Sequence, residues 1–275
     1  MTRPVTGTAL ALALALALVL LALADRAAAG TTWDGLKGDV FGATPILDGT
    51  GIVTLKAPRR PEDQRKVPIA VEAALTDGRT IRSLTVIVDE NPSPVAARFR
   101  IGGERRQVSI AAKFRLNSET DVRAVVEASD GALYMVEQHV RFAGGQASCS
   151  APPQGDPKEI AETMGQMTLT HPEQQTKAAA SQIRPRARLD VRHPNHTGMV
   201  LDQLTLLYIP LKIVERIEVR QGEDTVLDME GSMTVSQDPS IDFDYEVNGA
   251  EEMKVRLQDS DGGVWQSTFP LGNGS

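Results

Sequence analysis

A strict alternation of apolar residues with polar or small ones recurs along this chain and constrains its fold more than any other feature. In one stretch the apolar positions are Val108, Ile110, Ala112, Phe114 and Leu116. The same two-residue period returns at 67–73, 187–191 and 241–247. Because side chains of a β-strand point alternately to its two faces, these stretches predict strands with one buried and one solvated face. The chain is therefore predicted to be all-β.

Two similar turn signals divide the strands into two sets. Residues 129–131 read Ser-Asp-Gly between two apolar runs, and residues 259–263 read Asp-Ser-Asp-Gly-Gly before Val264. Asp-Gly pairs favour the tight turns of β-hairpins, because glycine tolerates a positive φ. The repeat predicts two β-sandwich domains. Pro68 cannot donate to a sheet, which predicts that the strand around it lies at an edge.

Residues 1–29 have the pattern of a secretory signal peptide. Arg3 supplies a positive start, residues 9–23 are uninterruptedly apolar, and small residues allow cleavage after Ala24 or Ala29. A retained membrane anchor is the alternative, although the run is short for a full crossing. The pattern predicts export, with no membrane span left after cleavage.

The charges argue against nucleic acid as a partner. The formal net charge is −7, whereas nucleic-acid binding needs a basic surface. Arginines at alternate positions over 184–192 predict the outward face of a strand. The acidic set Asp242, Asp244 and Glu246 allows either a calcium site or a solvated strand face. The solvated face is favoured because the glycine turn of a calcium loop is absent.

Signatures of catalysis are scarce. The sequence contains no Gly-x-Ser-x-Gly elbow, no phosphate-binding glycine loop and no paired-cysteine motif. His193 and His196 could bind zinc together with His171, but a polar turn is the favoured interpretation because no further ligand is located. We predict no catalytic residue, no metal and no cofactor, and hence a protein that is not an enzyme.

The stretch 143–153 carries the only cysteine, Cys149, in a run of small residues. Gly144 and Gly145 predict a swivel, and the two prolines after the cysteine predict a stiff, extended segment. Exported proteins usually pair their cysteines, so a single thiol is either inert or kept free for chemistry or for an intermolecular link. The sequence neighbours of Cys149 are not basic, so a lowered thiol pKa is not predicted. We expect Cys149 to be exposed on this loop.

The segments around this loop complete the organisation of the chain. Residues 32–50 predict an irregular leader. Asp156 as N-cap and Pro157 at the first helical position predict a short helix that Gly165 ends. The predicted domains are a signal peptide at 1–29, a β-sandwich at 30–145, a cysteine-bearing loop, helix and linker at 146–182, and a second β-sandwich at 183–275.

The sequence resembles the SoxY and SoxZ subunits of the periplasmic sulfur-oxidation carrier, fused in one chain. The SoxY-like motifs are Gly-Ile-Val-Thr-Leu-Lys-Ala-Pro at 51–58, Val-Pro-Ile-Ala-Val at 67–71, Val-Asp-Glu-Asn-Pro at 88–92 and Asp-Val-Arg-Ala-Val-Val-Glu at 121–127. The SoxZ-like motifs are His-Pro at 193–194, Thr-Gly at 197–198 and the closing turn at 259–265. Such fusions are described as quinoprotein dehydrogenase-associated SoxYZ-like carriers.

The resemblance implies immunoglobulin-like sandwiches in both halves and a periplasmic sulfur carrier. It gives Cys149 the role of attachment site for a sulfur compound, with Gly144 and Gly145 as its swivel, and sulfur-oxidising enzymes as partners. In the family the cysteine stands in a Gly-Gly-Cys-Gly-Gly arm at the C-terminus, whereas here it is internal. An alternative is a non-catalytic interaction module that assists a periplasmic alcohol dehydrogenase dependent on pyrroloquinoline quinone.

Overall fold

The computed structural model describes residues 32–142, 144, 147–172 and 184–271. The predicted signal peptide, Gly145 and most of the polar stretch after Pro172 lie outside these residues. The chain divides into two compact units, 1–44 and 45–275. None of the described helices is long and apolar enough to cross a membrane.

In the first unit, residues 32–41 form helix α1, within which the rings of Trp33 and Phe41 meet edge-on at 6.4 Å. The expected irregular leader is therefore wrong over this range. Gly35 and Gly38 lower the helix propensity and concealed the helix from the sequence patterns.

The second unit begins with the eight strands that we call the first half. They are β1 (Ile46–Asp48), β2 (Val53–Lys56), β3 (Val67–Ala74), β4 (Ile81–Val88), β5 (Val95–Ile101), β6 (Gln107–Phe114), β7 (Thr120–Ala128) and β8 (Leu133–Val140). A one-turn 3-10 helix (Ser148–Ser150) and helix α2 (Pro157–Thr163) follow. The Asp156 carboxylate accepts a hydrogen bond from Lys158 N at 2.8 Å, which confirms the predicted N-cap.

The remaining described strands form the second half. They are β9 (Met167–Thr170), β10 (Arg186–Val191), β11 (Val214–Gln221), β12 (Asp224–Gly231), β13 (Ser240–Asp244), β14 (Glu252–Asp259) and β15 (Val264–Pro270). Strand β9 falls within the predicted linker and was missed, because four residues are too few to show a period. The all-β prediction is confirmed, whereas the predicted domain boundaries stay a prediction.

The two halves share both of their sheets. One sheet has the order β1-β8-β7-β4-β5-β12-β11-β14-β15, and the other has the order β2-β3-β6-β13-β10-β9. The halves join where β5 pairs antiparallel with β12 and β6 pairs antiparallel with β13. We call these two strand pairs, with the loops at their ends, the seam. Each pair covers strand edges that would otherwise expose unpaired backbone groups.

One apolar core runs through both halves. Phe99 of β5 lies opposite Met229 of β12, and Ile110 of β6 lies opposite Phe243 of β13. All four side chains are buried and belong to a single hydrophobic cluster. The alternation predicted along β6 is confirmed, since its even-numbered residues point into this core. The apolar core is therefore continuous across the seam.

Two details of the strands differ from the predictions. Strand β3 lies between β2 and β6, so it is not an edge strand. Its ladder with β2 stops at the pair Lys56–Ala70, so Pro68 interrupts no hydrogen bond on that side. Asp244 is buried rather than solvated, because its carboxylate reaches across the seam to Arg105 at 2.6 Å. Asp242 does lie on the predicted outward face and pairs with Arg188 at 2.7 Å.

Candidate functional site

Cys149 is buried, with 0% of its surface exposed. The expectation of an exposed thiol on a connecting loop is therefore wrong. The physical reason is that the turn Ser148–Ser150 folds back into the seam and is held there by groups from both halves of the chain. Its two buried residues are Ser148 and Cys149.

Hydrogen bonds from both halves of the chain hold this turn. Ser148 Oγ donates to Leu116 O at 2.8 Å, and Cys149 N donates to Asn117 Oδ1 at 3.2 Å. From the second half, Thr197 Oγ1 donates to Cys149 O at 2.5 Å. The cysteine is thus clamped between a loop that follows β6 and a loop that follows β10.

Buried asparagines position both of these loops. Asn91 Nδ2 donates to Arg115 O at 2.7 Å, while its Oδ1 accepts from Asn117 N at 2.8 Å. Asn195 Nδ2 donates to Val235 O at 2.5 Å, and its Oδ1 accepts from Val214 N at 2.7 Å. Because both ends of each amide are satisfied, these side chains fix the backbone around the cysteine.

Arg115 is the charged group beside Cys149. Its side chain is buried and its Nη1 donates to Met233 O at 3.1 Å and to Val235 O at 2.5 Å, both in the second half. Burial lowers the pKa of Arg115 to about 10, so the guanidinium is still protonated at neutral pH. Among the described residues no carboxylate pairs with it. We call Cys149, Arg115 and the loops 115–117, 195–197 and 233–235 the junction site.

Burial raises the pKa of the Cys149 thiol, although the charge of Arg115 and a hydrogen bond with Ser148 act in the opposite direction. While it is buried in this way, the sulfur is therefore a protonated thiol at neutral pH. A thiolate, not a thiol, attacks sulfur electrophiles. The folded turn consequently protects Cys149 from reaction.

The two histidines predicted to lie in a polar turn have separate surroundings. His193 is 1% exposed, and its Nδ1 accepts from Asn195 N at 3.1 Å, so Nε2 carries the proton of the neutral ring and faces Asp259 Oδ2 at 3.5 Å. Burial lowers the pKa of His193. The neighbouring His196 is half-buried, and its Nδ1 is buried without a hydrogen-bond partner within the described part of the chain. Burial first, and then the charge of Arg115, lower the pKa of His196.

The candidate metal ligands do not assemble. His171 is exposed and contacts Tyr245, with ring centroids 6.1 Å apart. Over the ranges that the structure describes, no three histidine, cysteine, aspartate or glutamate residues form a group able to hold a metal. His193 and Asp259 instead form a buried contact beneath the turn that joins β14 and β15.

The predicted swivel lies partly inside the described residues. Gly144 has a φ of +91°, and a Cβ built there would meet no atom within 4 Å. This backbone conformation favours glycine, and the space around it leaves the chain free of close packing. Gly145 lies outside the described residues.

An exposed apolar segment begins next to the buried junction site. Residues 199–212 fold back on themselves through a bridge between Leu201 and Tyr208. The Asp202 carboxylate accepts from the backbone N–H of Leu204 and of Thr205, at 2.9 and 2.8 Å. We call this segment the apolar finger, because Leu204 is 95% exposed and three neighbours are exposed by more than half. Those neighbours are Leu206, Leu207 and Tyr208.

Sequence reasoning found Cys149 but missed its partners. Arg115 stands at a polar position of an alternating strand, a position that predicts solvent, and its burial results from the loop 233–235 of the other half. Thr197 belongs to a recognised motif, yet nothing nearby in the sequence indicates its bond to a residue 48 positions away. Chemically, the site can keep one thiol dry, protonated and beside a positive charge.

Comparisons with known proteins identify both halves. Residues 37–146 match the family profile of sulfur oxidation protein SoxY, and residues 174–270 match that of sulphur oxidation protein SoxZ. The solved structure of the sulfur carrier protein SoxY from Chlorobium limicola f thiosulfatophilum is 23% identical, covering 43% of this chain and 98% of its own, with a TM-score of 0.37. The Iho670 flagellar-like filament is 12% identical, covering 94% of this chain and 97% of its own, with a TM-score of 0.13. A search of curated proteins gave no match. Both TM-scores are low, so the two family profiles are the informative matches.

Proposed function

Because the chain is a fused SoxY–SoxZ-like protein, we propose that it is a periplasmic, non-catalytic carrier that holds a sulfur compound covalently on Cys149. The observation that supports this most directly is the position of the chain's single cysteine. It lies at the seam between the SoxY-like and SoxZ-like halves, held by groups from both. Partner enzymes of sulfur oxidation would load and process the attached group.

A carrier must expose its thiol, so the turn 147–151 has to open. The hydrogen bonds that hold the closed turn include those of Ser148 Oγ, Cys149 N and Cys149 O, and each such bond contributes a net of about 1 kcal/mol. Its buried side chains are only those of Ser148 and Cys149. Opening therefore costs far less than unfolding the shared core and can occur as a local event. Gly144, together with Gly145, is the proposed swivel of this motion.

Opening also changes the chemistry of the sulfur. Once the turn leaves the seam, the burial that raises the thiol pKa is lost, and a larger fraction of the thiol ionises. The thiolate can then form an S–S bond with a sulfur anion. That step releases two electrons, which an acceptor in the partner enzyme must take, while the thiol proton goes to solvent. The closed state then shields the product from other thiols.

Intact-mass measurement of protein purified from its native cells, grown on reduced sulfur compounds, tests this function. We expect a mass adduct that a phosphine reductant removes and that Cys149→Ser lacks. Met164→Leu, a substitution outside the turn, is the control and should keep the adduct. Unmodified Cys149 under all such growth conditions, with normal growth of Cys149→Ser cells, would contradict the carrier function.

A second candidate function is favoured by the apolar finger. An exposed cluster of large apolar side chains marks a protein contact surface, and Asp202 and Lys212 are the only charged residues over 199–212. Lys212 lies at the base and pairs with Asp261 at 3.0 Å. The alternative is thus an interaction module that assists a quinone-dependent alcohol dehydrogenase through the finger and uses the thiol incidentally.

A pull-down from native periplasm separates the two functions. Leu204→Ser combined with Leu207→Ser should lose the partner if the finger is the contact, whereas Val247→Ser, at another exposed apolar residue, should keep it. Cys149→Ser that retains both partner and physiological activity would favour the interaction module. Loss of activity with the partner retained would favour the carrier.

A further inference from the structure

Three buried arginines in this chain differ in what neutralises them. Arg105, Arg115 and Arg123 are all about 5% exposed. Arg105 pairs with Asp244 at 2.6 Å, and Arg123 pairs with Asp89 at 2.8 Å. Arg115 has carbonyl oxygens as partners and, within the described residues, no carboxylate. A buried charge without a counter-charge is expensive, so folded proteins rarely retain one without a reason.

The surroundings of Arg115 are suited to an anion that binds reversibly. Its Nη1 is fixed by Met233 O and Val235 O, which hold the guanidinium in one place. The two residues that follow it in sequence, Leu116 and Asn117, carry the cysteine turn. The Cys149 thiol is near enough to Arg115 for its charge to act on the guanidinium, and that thiol is neutral while the turn is buried.

A second group beside the same turn lacks a partner. The Nδ1 atom of His196 is buried and unbonded among the described residues. His196 precedes Thr197, whose hydroxyl donates to Cys149 O. An unsatisfied buried nitrogen costs free energy in the empty site and can be satisfied by a bound group. Within the described residues, the junction site therefore has both a positive charge without a carboxylate partner and a ring nitrogen without a hydrogen-bond partner.

We propose that Arg115 forms an anion subsite for the carrier, which receives the negatively charged end of the group held on Cys149. The inference rests on the proposed function and specifies its cargo as a sulfur-linked anion, either an oxyanion or a terminal sulfur anion. The guanidinium offers several N–H donors in a fixed plane, which suits either kind of end. The negative end of the group on Cys149 supplies a counter-charge for Arg115. The turn is therefore held more firmly in the seam in loaded protein than in unloaded protein.

Chemically loaded protein tests the subsite without any partner enzyme. Tetrathionate adds an anionic end: the opened thiolate attacks a central sulfur, one S–S bond forms as another breaks, thiosulfate leaves and the thiol proton goes to solvent. Methyl methanethiosulfonate adds a neutral methylthio end, with methanesulfinate as leaving group. Cystamine adds a cationic aminoethylthio end, with cysteamine as leaving group. The three adducts share the disulfide to Cys149 and differ in the charge of the end group.

The readout is the melting temperature of each adduct in the full mature chain. We expect the anionic adduct to melt higher than the neutral one, and the cationic adduct to melt lowest, with gaps of roughly 2–4 °C per step for a chain of this size. Arg115→Gln should abolish the order. Arg115→Lys, which keeps the charge, should preserve it in part, and the exposed control Arg188→Gln should leave it unchanged.

Each outcome bears on the subsite separately from the carrier function. Equal melting temperatures for the three wild-type adducts, or the same order in Arg115→Gln, would overturn the subsite. Should Arg115→Gln fail to fold, the wild-type order and its retention in Arg115→Lys still decide the matter. Native protein found loaded on Cys149, without any charge preference, would leave the carrier standing and the subsite refuted.

Discussion

Strand β6 is flanked by two buried arginines that reach across the same seam and end in opposite situations. Arg105, just before the strand, meets the carboxylate of Asp244, which also accepts from Ser109 N at 2.6 Å. Arg115, just after the strand, donates to the carbonyl oxygens of Met233 and Val235 and lies beside Cys149, with no carboxylate partner in the described ranges. An ion pair closes one end of the seam, whereas the other end, which we call open, has no carboxylate partner for its arginine among the described residues. The difference separates a structural joint from a site prepared for a charged ligand.

The largest effect is expected at the closed end. Asp244→Ala leaves Arg105 buried without a counter-charge and removes the acceptor for Ser109 N, so we expect a loss of about 3–5 kcal/mol in the free energy of unfolding. Urea denaturation followed by circular dichroism measures it. The control Asp242→Ala removes a partly exposed partner of Arg188 and should cost about 1 kcal/mol or less. Similar losses for the two variants would contradict the structural role of Asp244.

A smaller effect is expected at the open end. Arg115→Met removes two hydrogen bonds to carbonyls but also a desolvated charge, so the free energy of unfolding should fall by only about 1–2 kcal/mol. Val235 O keeps its bond from Asn195 Nδ2 in this variant. Denaturation under the same conditions provides the comparison. A loss as large as that of Asp244→Ala would make Arg115 a second structural anchor and remove the contrast between the ends.

The rate of thiol labelling reports how firmly the turn that carries Cys149 is held in the seam. Thr197→Val removes the bond from the second half to Cys149 O, worth about 1 kcal/mol, so native-state labelling by iodoacetamide should be roughly fivefold faster. Thr268→Val, on the exposed face of β15, is the matched control and should label at the wild-type rate. An unchanged rate in Thr197→Val would show that the hydroxyl does not hold the turn closed.

The smallest effect is a pH dependence of stability. Because the folded-state pKa of Cys149 is raised above its ordinary value of 9.0, the folded protein binds the thiol proton more tightly than the unfolded chain. The contribution is complete below that ordinary value and is lost as pH rises through the folded-state pKa. The stability of wild type relative to Cys149→Ser should therefore begin to fall as pH rises through the range in which an ordinary thiol ionises, and should keep falling through the raised folded-state pKa. A constant difference would mean that the thiol is not desolvated.

Prediction from sequence succeeded where a local pattern decides the outcome. The alternation along β6 and the N-cap of α2 were found because a two-residue period and a side-chain cap involve only neighbouring residues. The edge position assigned to β3 was wrong because sheet order depends on which strands meet in space. The surface position assigned to Asp244 was wrong for the same reason, since its burial comes from Arg105 in the other half.

The candidate site shows the same division. The cysteine, its glycines and the likeness to two carrier subunits could all be read from the residues in order. The shared sheets, the burial of Cys149 and the position of Arg115, which has no carboxylate partner in the described part of the chain, could not. They depend on hydrogen bonds that join residues 32 and 48 positions apart. The alternation of a strand can be read from adjacent residues because backbone geometry sets it locally. Whether a turn of small residues faces water or lies in a seam depends instead on the distant segments that fold over it.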